Sequence, residues 1–429
     1  MLKFQYCFLA LLLFCCFVNS TKYDWTTVDT ILEDAIADKA FPGCTVLIGS
    51  DEGILYEQGY GHFTYGVPPP QNPNTNPKTE LSTIFDMASL TKVVSTTSCV
   101  MQFYQRGELD LHMPLIDPSL FGSEFDNNDK NKITSWNLLT HTAGFPPDPN
   151  PLYFSKEFGC PETSNYHPDE EFTCQSKIWD SLMSQTLQYK TGEKFVYSDL
   201  SMITMMQIVG KLAKDLGYIT YDQLMGDCAV GNKEDSKELY QCYYEAYARN
   251  YVFQKMQMSE TGFRPPKALW DRCAPCENDT WYRHEVMQGH VHDGNCYSYG
   301  GISGHAGLFS KIEDLYLLMN KLMFTTENDP FINSTTVNHF VTIQDASFSS
   351  RALGWDTNYN SEYTACGSLS KKETYCHTGF TGGSLCNDRV RKLIVILLTN
   401  RVYPTRKNLK ILAVRNKLAT QIQQIYDNT

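Results

Sequence analysis

Ser89-Leu90-Thr91-Lys92 sets a hydroxyl and an amine three residues apart. In a helix that spacing is about one turn, so Lys92 shares a face with Ser89. Serine becomes a useful nucleophile once a base takes its proton. A lysine, with a free pKa near ~10.4, can be that base only if burial or a neighbouring cation pushes it down. A helix N-terminus at Ser89 would add free N–H groups and a positive dipole end. Tyr197-Ser198-Asp199 offers a phenolic oxygen able to relay protons and a carboxylate able to accept from a lysine ammonium. Equally, it reads as a buried tyrosine beside a helix N-cap. His377-Thr378-Gly379 continues into Phe380-Thr381-Gly382-Gly383. Glycines beside a strand let a substrate approach the backbone. There the N–H of Phe380, together with that of Ser89, would form an oxyanion hole. His377 would tune the proton relay or hold a substrate carboxylate, or be a turn histidine. Each piece alone is common, and Ser368-Leu369-Ser370-Lys371 repeats the first pattern in a polar stretch read as a loop.

The elements around these residues follow from periodicity. Thr27 can cap a helix whose face holds Val28, Ile31, Leu32, Ala35 and Ile36. Cys44 to Ile48 and Ile54 to Tyr60 read as strands around the turn Ser50-Asp51-Glu52-Gly53. Ala88 to about Gln105 is a helix with Leu90, Val93, Val94, Val100, Met101 and Tyr104 as its stripe, stopped by Gly107. A second helix covers Leu200 to Leu216, Leu393 to Leu398 is a short buried strand, and a last helix runs from about Lys407 to Tyr426. Strands therefore lie near both ends and helices fill the middle. This predicts an α/β (α+β) architecture: one sheet built from both termini, flanked by terminal helices, with an inserted helical region and the site in the cleft between.

In this order, the three elements resemble the serine β-lactamase and penicillin-binding-protein superfamily, most closely its class C β-lactamase-like branch with DD-peptidases and esterases. The resemblance runs through Phe85 to Lys92, Leu138 to Phe145, Val196 to Leu200 and His377 to Gly382. Val291-His292-Asp293-Gly294-Asn295, Gly304 to Ser310 and Thr399 to Arg406 are similar to bacterial N-acetylmuramyl-L-alanine amidases. The resemblance implies a β-lactamase/transpeptidase-like domain over 21–429, with the sheet from about 22–87 and 340–429 and the helical part from about 88–339. It implies an acyl-enzyme hydrolase without cofactor or metal, acting on amides or esters. Ser89 would be the nucleophile, Lys92 and Tyr197 would move its proton, Asp199 would orient Lys92 or the substrate, and His377 would assist. Thr378, Gly379, His292, Asp293 and Asn295 would line the pocket. Asp199 stands where β-lactamases carry Asn, which resembles esterases and amidases more. Lys190-Thr191-Gly192 precedes Tyr197 and so cannot be the third element. Cys376 replaces a glycine beside His-Thr-Gly. The stretches around Cys160 to Cys174 and Cys228 to Cys242 look like insertions, each closed by its own cysteine pair.

Composition sets the context. The 429 residues are 42% apolar and 20% charged, with a net charge of −12. Disorder is excluded, and nucleic acid or anionic membrane is disfavoured as a partner. Residues 1–20 read as a signal peptide: Lys3, an apolar run from Tyr6 to Val18, then Val18-Asn19-Ser20. Cys7, Cys15 and Cys16 lie within it, leaving an even number of the 15 cysteines. Asn278-Asp279-Thr280 and Asn333-Ser334-Thr335 are glycosylation sequons. These agree on a secreted or lysosome-like location, with no membrane span once the signal is removed. His290, His292, Asp293, His305 and Cys273-Ala274-Pro275-Cys276 have metal-like types and spacing, but in a secreted chain such cysteines more often form disulfides. Expected partners are a small peptide, muropeptide or ester. The rival reading is a non-catalytic binding or assembly protein that kept the fold.

Overall fold

The computed structural model describes residues 22–160, 174–229, 236–359 and 363–429; the expected signal segment lies outside them. Helix α1, Thr26–Ala37, buries Val28, Ile31, Leu32 and Ala35. It starts two residues earlier than a cap at Thr27 suggests, with Trp25 at the cap position, and the Asp24 carboxylate accepts the Thr26 N–H at 3.0 Å. Strands β1 (Gly43–Ser50) and β2 (Gly53–Gly61) form the hairpin expected from the Asp51-Glu52 turn. Four later strands complete the sheet: β3 (Asp356–Thr357), β4 (Thr374–Thr378), β5 (Ser384–Asp388) and β6 (Leu393–Thr399). The order is β2-β1-β6-β5-β4-β3, antiparallel throughout. The first and last strands of the chain thus pair at the centre.

Alternation along the central strands sorts two cores. Val46, Ile48, Val395 and Leu397 face α1 and the terminal helix, and join Leu32, Leu418 and Ile422. Leu47, Ile394, Ile396 and Leu398 face the other way, into the larger core built with the helical region. Because both faces are covered, β1 and β6 are buried along their whole length.

The segment after Ser89 is not one regular helix. Ala88–Leu90 is a 3₁₀ turn, Lys92–Thr97 is π-helical, and α2 proper is Ser98–Gln105. The Thr97 hydroxyl donates to the Lys92 carbonyl at 2.8 Å and the Ser98 hydroxyl to the Val93 carbonyl at 3.1 Å, both five residues back. These bonds fit the widened turn, a feature found often at functional sites. Two small sheets involve the span 88–339: Leu308–Ser310 pairs with Gly262–Phe263 and with Phe85–Asp86 just before the span, and Asn278–Asp279 pairs with Glu285–Val286. Helix α3, Asp199–Asp215, is nearly all buried and packs on α4, Tyr240–Tyr247. The terminal helix α5 is Ile411–Asp427. Disulfides join Cys160–Cys174, Cys228–Cys242 and Cys366–Cys386. The first two are the expected pairs; the third was not anticipated. Cys99, Cys273, Cys276 and Cys376 are free and buried.

The α3–α4 contact is closest at Gly210, where an added Cβ would lie 1.8 Å from the Tyr240 carbonyl oxygen. Backbone cannot yield there as a flexible side chain would. Gly210→Ala should therefore lower unfolding stability by about 1–3 kcal/mol despite its better helix propensity, as read by urea denaturation. Unchanged stability would mean that the two helices separate without cost.

Candidate active site

Asp86 shapes the nucleophile's turn. It is buried, and its carboxylate accepts the Ala88 N–H at 2.7 Å and the His292 N–H at 2.7 Å. Burial raises its pKa, and these bonds oppose the rise. Ala88 sits at φ 44, a left-handed conformation a non-glycine residue adopts only when its surroundings impose it. Ser89 follows directly. The Lys92 ammonium donates to Ser89 Oγ at 2.9 Å and to the His305 carbonyl at 3.0 Å. It also forms an ion pair with Asp199 Oδ1 at 2.8 Å. Asp199 opens α3, where the helix dipole favours a carboxylate. Burial alone would lower the Lys92 pKa, but the Asp199 carboxylate and the Tyr197 hydroxyl outweigh it and push it up. Lys92 is therefore an ammonium in the resting site, not the depressed amine that a lysine base requires.

Tyr197 lies beside this charge, its ring centre 4.9 Å from Lys92 Nζ and 5.1 Å from the Arg351 guanidinium. His141 packs on the same ring at 4.6 Å and accepts the Ser198 N–H on Nδ1 at 3.2 Å. His377, on β4, is 6.2 Å from the Tyr197 ring. Its Nδ1 bonds the Thr378 carbonyl at 3.0 Å, so that nitrogen carries the proton. Burial, with Arg351 and Lys92 nearby, pushes the His377 pKa well down. This favours the neutral imidazole, whose buried Nε2 has no hydrogen-bond partner among the described residues. β3 pairs only with Tyr375 and Cys376, leaving the His377–Thr378 end of β4 without a partner on that side among the described strands.

Two hollows meet at Ser89. One, about 460 Å³, is lined by Ser89, Tyr197, Arg351, His377, Thr378 and Gly379, with Phe380 at its mouth. The other, about 420 Å³, runs past Ser89, Asp148, Asp199, His292, Asp293 and Asn295. Phe380 belongs to both; His292 stacks on it at 5.5 Å and Arg401 covers it at 4.4 Å. The expected catalytic, oxyanion and pocket residues line these two hollows, apart from Lys92, which is buried against Ser89. A larger hollow of about 1170 Å³, between β2 and α1, does not include Ser89.

Asn295 accepts the Tyr153 N–H at 2.9 Å, and His292 bonds Glu277 at 3.1 Å, so both also brace loops. Asp293 accepts the Cys296 N–H at 2.8 Å and pairs with His305 Nε2 at 3.0 Å, while His305 Nδ1 bonds Ser303 at 2.8 Å. The metal-type residues divide among separate partners: His290 with Glu285, His292 with Glu277, His305 with Asp293. Asp199, Asp293 and His305 do offer ligand atoms within 4.8 Å of one another, but the Lys92 ammonium already lies against Asp199. Of the sequons, Asn278 is exposed, whereas Asn333 is half-buried and caps a helix through its side-chain oxygen at 2.8 Å. Asp86, His141 and Arg351 are not singled out from the sequence, and His305 is singled out there only for its metal-like type; all four lie at this site. Asp86, His141 and His305 lie inside or beside quoted motifs, while nothing local marks Arg351.

The Beta-lactamase family profile matches residues 28–228 and 240–419. The chain belongs to the Beta-lactamase family, and so to the serine hydrolases. It is 26% identical over 396 residues to a putative D-alanyl-D-alanine carboxypeptidase of Salmonella heidelberg (strain SL476), covering 87% of this chain and 82% of that one. It is 28% identical over 388 residues to the N-acetylmuramyl-L-alanine amidase of Bacillus subtilis, covering 87% and 80%. The class C β-lactamase of Rhodobacter sphaeroides superposes with a TM-score of 0.61 at 17% identity, covering 93% and 99%, which shows the shared fold.

The His305–Asp293 pair has a defined pH signature. Burial lowers the His305 pKa, but Asp199 and Asp293 raise it overall; burial raises that of Asp293, but His305 and the Cys296 N–H lower it overall. The raised histidine stabilises the fold below its unfolded pKa of ~6.5, an effect lost as pH rises through the folded value. The lowered aspartate stabilises above ~3.9, an effect lost on acidification. Asp293→Asn should thus cost about 1–2 kcal/mol near pH 5.5 and less at pH 9. Thermal unfolding at the two pH values measures the difference, and an equal loss at both would refute the pairing.

Proposed function

We propose that the chain is a secreted hydrolase that forms an acyl-enzyme at Ser89, with muropeptide-like amides as its substrates. The observation that carries this reading is the Lys92 ammonium held 2.9 Å from Ser89 Oγ and 2.8 Å from Asp199. Amidase and carboxypeptidase relatives along most of the chain support the amide substrate. The N-terminal apolar segment and three disulfides support the compartment.

In this reading the Ser89 oxygen attacks the carbonyl carbon, and its proton passes to the Tyr197 hydroxyl oxygen as that hydroxyl hands its own proton to the amide nitrogen, so the phenol is neutral before and after. Lys92 stays protonated and meets the negative charge that develops on Ser89 Oγ as its proton leaves. The N–H groups of Ser89 and Phe380 receive the oxyanion. Collapse breaks the C–N bond of the protonated nitrogen, and the amine leaves. Water attacks the Ser89 ester by the same route in reverse and releases the acid. Hydrolysis of simple esters is the second reading, since Asp199 in place of Asn resembles esterases as well as amidases. A scaffold without chemistry would have no need to bury an ion-paired lysine against a serine.

A fluorophosphonate should add mass at Ser89 in the wild type and none in Ser89→Ala. Lys92→Met should slow labelling by about 10²–10³-fold, the usual worth of one donor aimed at a developing negative charge. An unlabelled but folded wild type would overturn the enzyme reading. Muropeptides, D-Ala-D-Ala peptides, nitrocefin and short acyl esters assayed side by side then decide the substrate, and turnover of esters alone would exclude the amidase.

A further inference from the structure

Residues 141–147 cradle the loop that carries Tyr197 and Asp199. Their carbonyls accept backbone N–H groups from that loop: Gly144 from Gln188 at 2.8 Å, Thr142 from Gly192 at 2.8 Å, His141 from Val196 at 2.9 Å and Pro147 from Asp199 at 2.8 Å. His141 makes a second bond to the loop, since its Nδ1 accepts the Ser198 N–H at 3.2 Å. One residue thus holds the backbone on both sides of Tyr197. The His141 ring also packs on the Tyr197 ring, 4.6 Å away. Two features of His141 are costly. Its backbone lies at φ 56, in the left-handed region. Because Nδ1 accepts, the proton of the neutral ring sits on Nε2, which is buried with no hydrogen-bond partner among the described residues. Strained backbone and unmet donors persist where the surroundings impose them, and they cluster at active sites. The Lys92 ammonium and the Arg351 guanidinium lie 4.9 and 5.1 Å from the same tyrosine ring. Burial and these two cations push the His141 pKa well down, which keeps Nδ1 free to accept.

We propose that His141 is the positioning residue of Tyr197: it fixes the backbone before and after the tyrosine and packs on its ring, so that the hydroxyl stays where it can take the Ser89 proton. The inference rests on the proton relay in the reading above and adds a residue to it. His141 lines neither hollow at Ser89, so it acts through Tyr197 and not on the substrate. Asp199 is held independently, by the Pro147 carbonyl, and Lys92 has its own three partners. The decisive atom is Nδ1. A ring without an acceptor would leave the buried Ser198 N–H unmet and release the 196–198 backbone. Asparagine carries an oxygen on Cγ where histidine carries Nδ1, and it tolerates a left-handed backbone, so it can replace histidine where phenylalanine cannot.

The test reads the rate at which a fluorophosphonate labels Ser89, a reaction that forms the Ser89–phosphorus bond, expels fluoride and needs the serine proton removed. His141→Phe, which keeps a ring and lacks the acceptor, should lower the maximal labelling rate about 10- to 100-fold, the scale of a displaced catalytic group, with half-saturation within about twofold of the wild type. His141→Asn should bring the rate back to within about fivefold of the wild type. In a Tyr197→Phe background, which itself labels slowly, His141→Phe should add a loss of less than about twofold, because the hydroxyl it would misplace is gone. His141→Ala, without ring or acceptor, serves in both backgrounds if the phenylalanine variant does not fold. An equal loss in both backgrounds, no recovery with asparagine, or a wild-type rate in His141→Phe would overturn the proposal. Those outcomes leave Tyr197→Phe slow. A Tyr197→Phe variant that labels at the wild-type rate strikes the relay, and the role of His141 with it, whereas an unlabelled wild type strikes the hydrolase reading itself.

Discussion

A fully buried ammonium is the constraint around which this structure is arranged. Lys92 has no solvent exposure, and taking a charge out of water costs several kcal/mol unless partners replace the water. Those partners come from three distant parts of the chain: Ser89 one turn away, Asp199 at the first residue of α3, and the carbonyl of His305. To supply them, α3 must begin beside Lys92, and the 303–308 segment must run past it into its pairing with Phe85–Asp86. Gly304 permits that approach, since a Cβ there would lie 2.1 Å from the Met202 carbonyl of α3. The Thr96 hydroxyl, one turn beyond Lys92, donates to the Gly304 carbonyl at 2.8 Å and holds the two segments together.

A second buried charge fixes the other wall. Asp86 takes N–H groups from Ala88 and His292 through its side chain, while its carbonyl accepts the Thr381 hydroxyl at 2.7 Å. One residue thus connects the nucleophile's turn, the loop that stacks on Phe380 and the β4–β5 loop carrying Phe380 itself. Gly379 completes the junction, since a Cβ there would come within 2.6 Å of the Met87 carbonyl. The placing of Phe380 beside Ser89 depends on this junction more than on the regular sheet.

Much of this was legible from residue order. The strands at 44–48, 54–60 and 393–398 and the helices at 200–216 and 407–426 follow from apolar periodicity, and the structure places each within a few residues of those bounds. Ser89, Lys92, Tyr197 and His377 could be singled out because their chemistry is encoded in type and spacing. What could not be read depends on three-dimensional surroundings. The π turn after Lys92 comes with Thr97 and Ser98 bonding backward, while the apolar stripe of Ala88–Gln105 looks like that of a plain helix. The protonation of Lys92 and His377 depends on Asp199 and Arg351, which lie more than a hundred and about twenty-five positions away in the chain. Arg351 sits in no motif, and its two unmet donors exist only once the chain has folded around it.

Fixed protonation also decides how the proton can travel. If Lys92 accepted the serine proton, the site would first have to release one, against the pull of Asp199. With Lys92 kept as an ammonium, the proton leaving Ser89 and the proton given to the leaving group can share one oxygen, that of Tyr197. The site's net charge then stays constant through attack and collapse, which suits a cleft where each uncompensated charge is expensive. Neutral His377 and His141 fit the same condition, packing near Tyr197 without adding a competing positive charge. The positive charge that remains is divided between Lys92 at the serine and Arg351 across the tyrosine ring.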